Sequence, residues 1–258
     1  MWLKLTLAGL VTLAATLGGA RAQISDDVVK IGVINDQASL YADLTGQGSV
    51  IAARLAVEDF GGQVLGKPIE VVFADHQNKP DVGSTIANRW IDVEKVDAIA
   101  DAPTSSVALA IQEITKNKNR MLLISGAASS ALTGDKCSPT GIHWTYDTWA
   151  LANGTGKATV LAGGDSWFFL TADYAFGHAL EKDTSDVVNA NGGKVLGVVR
   201  HPLNSSDFSS FLLQAQASKA KIIGLANAGT DTTNSIKQAA EFGIVKGGQN
   251  LAGLLVFL

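Results

Sequence analysis

One cysteine, Cys137, stands in the whole chain, so an intrachain disulfide is impossible and stability has to come from packing. A lone cysteine of this kind is expected to be buried and inert. Basic residues are short as well: 20 Lys and Arg stand against 24 Asp and Glu, without a cluster of either sign. Phosphate binding rests on clustered Lys and Arg, so nucleic acid is excluded as a partner. The four histidines, His76, His143, His178 and His201, have no metal-ligand spacing and no cysteine partners, so no metal and no cofactor is expected. A Gly-x-Ser-x-Gly elbow is missing, as is a convincing carboxylate pair, and catalytic residues are not expected. Ser129 or Ser130 could serve a hydrolase only with a base that no motif places.

Long apolar runs are absent beyond the N-terminus. There, Lys4 precedes the apolar run Leu5 to Leu17, and Ala20-Arg21-Ala22 fits a small-x-small cleavage pattern. The run falls short of the ~20 residues of a membrane span. Residues 1–22 therefore read as an export signal cleaved after Ala22. Losing Lys4 and Arg21 lowers the 20 basic residues to 18, a net charge of −6 for the mature chain.

What the chain does have is a repeat. Gly61-Gly62-Gln63-Val64-Leu65-Gly66 returns as Gly192-Gly193-Lys194-Val195-Leu196-Gly197, Asn78-Lys79-Pro80-Asp81 as Asn204-Ser205-Ser206-Asp207, and Thr104-Ser105-Ser106 as Thr230-Asp231-Thr232. The shared order implies two lobes on one plan with a cleft between them. Short apolar runs alternate with helical patterns, which predicts parallel sheets covered on both faces. In the first half, strands are expected near Val28–Ile34, Ile69–Ala74, Val96–Ala100, Met121–Ser125 and Ile142–Tyr146. The helices between them run near 50–60, from an Asp81 cap to Glu94, and near 105–116. The pattern restarts at Trp167. Lobe 1 is placed at 23–147 and lobe 2 at 148–258. The apolar stretch Leu251–Leu258 reads as a last strand with no return to lobe 1 after it, so the chain is expected to be a fragment that leaves the lobe 1 sheet unfinished.

In such lobes ligands meet the carboxyl ends of strands. Four places stand out: Asp36 to Tyr41; Ala102 to Ser106, where Thr104 or Ser105 could equally cap the helix; Gly126 to Ser130; and Asp173 to Gly177. Asn227 is the lobe 2 counterpart of the second. Gly61 to Lys67 mimics a phosphate loop, but Pro68 stands where its Ser or Thr belongs.

Val29-Lys30-Ile31-Gly32-Val33, Val64-Leu65-Gly66-Lys67-Pro68-Ile69-Glu70 with Asp75, Ser105-Ser106-Val107-Ala108, Ile124 to Ser129 and Asp173-Tyr174-Ala175-Phe176-Gly177 follow one another in an order that resembles periplasmic solute-binding proteins of ABC importers, of the Leu/Ile/Val-binding type. The resemblance implies a type I binding fold, two Rossmann-like lobes, and a monomer that delivers a small solute to an inner-membrane permease. It implies that Ser105 holds a ligand carboxylate with Ser106 and Ser129 beside it, that the Ala127 backbone accepts from an amine, and that Tyr174 closes over the ligand with Asn227 nearby. Two departures stand out. The family's Gly-Pro-Leu-Thr-Gly-like first loop reads Asp36-Gln37-Ala38-Ser39-Leu40-Tyr41, so Tyr41 reshapes the pocket. In the family's amino-acid binders the acidic residue that pairs with the ammonium follows the strand at which this chain ends, which leaves amino acid specificity open. An amino acid is the first ligand expected; aromatic carboxylates, suggested by Trp144, Tyr146 and Trp149, are the alternative, as is a ligand sensor on the same fold.

Overall fold

The structure is a computed structural model describing residues 26–257; the expected export segment lies outside the described residues. The first sheet is built from β1 (Val29–Asn35), β2 (Gln63–Val64), β3 (Lys67–Asp75), β4 (Ala98–Asp101), β5 (Met121–Ile124) and β6 (Gly141–His143). Its order is β2-β3-β1-β4-β5-β6, parallel apart from the β2–β3 hairpin. That hairpin, turning at Leu65-Gly66, is what the glycine-rich stretch before Lys67 forms. One face carries α2 (Pro80–Asp92) and α3 (Ser105–Asn117). Ile34, Ile99, Leu122 and Ile124 pack there against Ile86, Trp90, Val107 and Ile111. The Asp81 cap is a correction. Pro80 opens the helix, where a missing N–H costs no intrahelical bond, so Asp81 falls one position inside and favours the helix through its charge alone.

The other face departs from the expected double cover. Among the described residues it carries α1 (Gly46–Asp59), which buries only Gly46 and Val50. Ile51 and Leu55 are each 53% exposed, and Phe73 on β3 is 45% exposed under the Arg54 guanidinium. Helical spacing of apolar residues says which side chains share a stripe, and the stripe here faces outward.

The second sheet holds β7 (Ser166–Ala172), β8 (Lys194–His201), β9 (Ile222–Ala226) and β10 (Asn250–Gly253) in the parallel order β10-β9-β7-β8. Alternation along β7 feeds two cores. Trp167 and Phe169 pack against Val160, Leu180 and Val188, and Phe168 and Leu170 against Phe208, Leu212 and Ala239. These helical residues come from α5 (Lys157–Leu161) and α6 (Ala175–Ala190) on one side, and from α7 (Ser209–Ala217) and α8 (Thr230–Glu241) with Phe208 just before α7 on the other. The run Leu251–Leu258 is a second correction. The strand stops at Gly253, and the chain bends so that Leu255 and Phe257 turn toward the other lobe. Cys137 is a third: it lies exposed in a polar turn, with Asp135 and Lys136 beside it.

The repeat has a structural basis. Asn78 and Asn204 both adopt left-handed backbone, at φ 56° and 62°, a conformation asparagine tolerates. Each is tied to the start of a helix: Thr104 donates to the Asn78 side chain, and the Asp231 carboxylate accepts the Asn204 and Ser205 N–H groups.

His76 follows β3 and is fully buried. Its Nδ1 accepts the Asn78 N–H at 3.0 Å, so the proton sits on Nε2, which has no partner among the described residues. Burial pushes the imidazole down to about 4, with Asp36 and Asp75 pulling partly the other way. The folded state thus resists protonation more than the unfolded chain does. Stability from this group is complete above the ordinary histidine value and is lost as pH falls toward 4. Melting temperature should fall between pH 6.5 and 4, and His76→Asn should flatten that slope; an equally steep slope in the variant would contradict it.

Candidate functional site

The loops at the carboxyl ends of both sheets face each other. Lobe 1 sends the loop after β1, whose anchor is Asp36. This buried carboxylate accepts the N–H groups of Ser39 (2.9 Å) and Tyr41 (2.7 Å), the Ser39 hydroxyl and the Asn78 side-chain amide (2.7 Å). Burial pushes the Asp36 carboxyl up, but hydrogen bonds from Tyr41, Asn78 and Ser39 overcome it and hold it below the usual range. After β4 the chain turns sharply: Asp101 and Ala102 both lie in left-handed backbone, at φ 81° and 50°. Non-glycine residues held this way carry strain that surrounding bonds have to support. The Asp101 carboxylate supplies that support, accepting from Asn35 Nδ2 at 2.9 Å and Ser125 Oγ at 2.8 Å. The turn delivers Pro103 to the cleft, against Gly126. A β-carbon on Gly126 would lie 2.8 Å from the Pro103 ring, so only glycine lets the two loops meet.

Lobe 2 contributes Tyr174 and Phe176 at the start of α6, and Ala228 after β9. The Tyr41 and Tyr174 hydroxyls meet across the cleft at 2.5 Å. Between the lobes lies a cavity of about 130 Å³. Tyr41, Leu44, Pro103, Gly126 and Ala128 line it from lobe 1 and Tyr174, Phe176 and Ala228 from lobe 2, while Tyr146, Leu255 and Phe257 close the crossover side. No charged side chain is in the lining. Burial pushes the Tyr41 and Tyr174 phenols above the ordinary tyrosine value and Tyr146 to about 12. All three are neutral near pH 7, so the walls are aromatic with hydroxyl tips. Tyr146 stacks obliquely on Phe257 with centroids 6.2 Å apart, and Tyr174 on Phe176 at 5.9 Å.

A second joint lies beside the crossover. Ser130 Oγ and Thr148 Oγ1 both donate to one oxygen of Asp183 on α6, at 2.8 and 2.6 Å. Thr148 opens α4 (Thr148–Leu151), the first turn of a helical run that continues through α5.

Of the residues expected at the site, Tyr41 and Tyr174 line the cavity. Ser105 Oγ is buried and takes the N–H groups of Ala128 and Ser129, at 3.3 and 3.2 Å. It shapes the wall through the loop it holds. Ser106 is half-buried on α3. The Ala127 carbonyl bonds His143 Nε2 at 2.7 Å, and Ser129 caps the short helical turn that follows it. Asn227 is buried, bonded to Thr232 and His201. Pro103 and Phe176 stand inside two of the four marked loops but were given no role of their own, and Leu44, three residues past the first loop, was passed over.

Residues 28–258 match the family model described as periplasmic binding protein. The chain is 24% identical over 250 residues to Leu/Ile/Val-binding protein homolog 6 of Brucella melitensis biotype 1, covering 96% of this chain and 62% of that protein. A periplasmic binding protein from Burkholderia mallei of known structure is 58% identical at a TM-score of 0.87, over 89% of this chain and 61% of that one. An ABC transporter solute-binding protein from Rhodopseudomonas palustris BisB5, solved with 3,4-dihydroxybenzoic acid, is 26% identical at a TM-score of 0.78, over 88% of this chain and 61% of that one. This chain thus spans about three fifths of the length of the relatives it matches. With two α/β sheets, an uncharged cavity between them and a family match running from Val28 onward, the chain belongs to the periplasmic binding protein family.

Proposed function

We propose that the protein captures a small aromatic acid between its lobes in the periplasm and hands it to the permease of an ABC importer. The observation that carries this reading is the lining: three neutral phenols together with Phe176 and Phe257. Aromatic rings favour offset or edge contacts with other rings, and tyrosine adds a hydroxyl to bond a substituent. For the carboxylate, the start of α3 at Ser105, two residues after the cavity-lining Pro103, offers the positive end of a helix dipole. The mechanism is closure, in which ligand contacts made to both lobes bias an open–closed equilibrium. The Rhodopseudomonas relative solved with 3,4-dihydroxybenzoic acid supports this ligand class. An amino acid is the second reading, favoured by the name of the Brucella relative.

Titration calorimetry separates them. One-to-one heats with 3,4-dihydroxybenzoate and benzoate, with leucine silent, are the expected result. Binding of leucine alone would overturn the ligand class, and silence from all three would overturn capture at this cleft.

A further inference from the structure

The anchoring of Tyr41 is out of proportion to a surface loop. One buried carboxylate collects bonds from three backbone N–H groups, a hydroxyl and an amide, and its partners belong to different loops. Asn78 follows β3 and is itself held by Thr104, the residue that leads into α3. Asp36, Asn78 and Thr104 thus tie the loops after β1, β3 and β4 into one unit. The only aromatic side chain on the Asp36-held loop is Tyr41. Its hydroxyl meets Tyr174, and its ring packs over Gly229, where a β-carbon would lie 3.3 Å from it. A buried carboxylate of this kind cannot be exchanged for an amide without conflict. An amide NH2 in place of either oxygen would face donors already pointing at it.

We propose that Asp36 is a positioning residue for ligand selection, fixing through the Tyr41 backbone the place of the Tyr41 hydroxyl at one end of the cavity, so that a ligand bearing a ring hydroxyl is preferred over one without. This rests on the reading of the cleft as an aromatic-acid site. Each phenol oxygen of the Tyr41–Tyr174 pair keeps spare acceptor capacity, so a ligand hydroxyl joins the pair as a third member. Asp36 lines no part of the cavity and acts only through the loop it holds.

The test compares dissociation constants for 3,4-dihydroxybenzoate and benzoate in the wild type, Asp36→Asn, Tyr41→Phe and the double variant, by calorimetry. The wild type should prefer the hydroxylated acid. Asp36→Asn should weaken that acid by about tenfold, the size of one lost hydrogen bond to a well-placed group, and benzoate far less. The ratio between the two acids should collapse equally in Tyr41→Phe, with no further change in the double variant. A merely structural Asp36 would weaken both acids alike and leave the ratio intact, which overturns the proposal. If Asp36→Asn does not fold, Ser39→Ala and Asn78→Ala each remove one bond to Asp36, and the same shift in ratio is expected at smaller size; an unshifted ratio again overturns it. A wild type that binds neither acid sinks the reading of the cleft and this proposal with it, whereas an intact wild-type preference that survives in every variant sinks this proposal alone.

Discussion

Gly177→Ala should prevent lobe 2 from folding. Gly177 is the third residue of α6, where the helix starts directly on the end of β7. A β-carbon there would lie 2.0 Å from the Ala172 carbonyl oxygen and 2.9 Å from its carbon. Both atoms are backbone, and the same carbonyl accepts the Tyr174 N–H at 2.8 Å, so neither can give way without dismantling the turn that presents Tyr174. Overpacking against movable side chains costs about 1–3 kcal/mol, and against fixed backbone it exceeds about 3 kcal/mol. A domain has only about 5–15 kcal/mol to lose. Gly48→Ala is the control: the site is on exposed α1 with nothing within 4 Å, so alanine should raise stability by about 0.5–1 kcal/mol. Denaturant unfolding of both variants checks the pair. A Gly177→Ala protein as stable as the wild type would mean that α6 does not meet β7 this way.

Tyr174→Ala should remove most ligand affinity, at least about a hundredfold for 3,4-dihydroxybenzoate, while Tyr174→Phe should cost about tenfold. Alanine deletes a wall of the cavity, the partner of Tyr41 and the ring contact with Phe176; phenylalanine deletes the hydroxyl alone. Burial keeps the Tyr174 phenol protonated well past the ordinary tyrosine value, so the affinity should be flat from pH 7 to 9. Calorimetry on the two variants reads both effects. Equal losses in the two would place the whole contribution in the hydroxyl, and no loss in either would remove Tyr174 from the site.

The α/β alternation was legible because strands covered by helices must be apolar, and Trp167 to Thr171 or Val29 to Ile34 show it plainly. The twofold plan was legible in short matches, since an asparagine that tolerates left-handed backbone recurs at the same joint. Tyr41 and Tyr174 could be found because loops at strand ends have few places to put a tyrosine. Ser105 and Asn227 illustrate the limit. A buried hydroxyl or amide has to find partners, and composition does not say whether they are a ligand or the neighbouring loop. Here Ser105 bonds Ala128 and Ser129, and Asn227 bonds Thr232. The anchoring by Asp36 was invisible for a related reason: its value depends on Asn78, 42 residues away. Ile51 and Leu55 show another limit, because periodicity identifies a stripe without naming what lies over it.

The decisive measurement is a crystal structure of the protein grown with 3,4-dihydroxybenzoate. The ring should lie in the cavity, edged by Tyr146 and Pro103, with a ring hydroxyl bonded to the joined Tyr41 and Tyr174 hydroxyls and the carboxylate toward the start of α3. A ligand found on the outer surface, or an empty cavity at saturating acid, would contradict capture between the lobes.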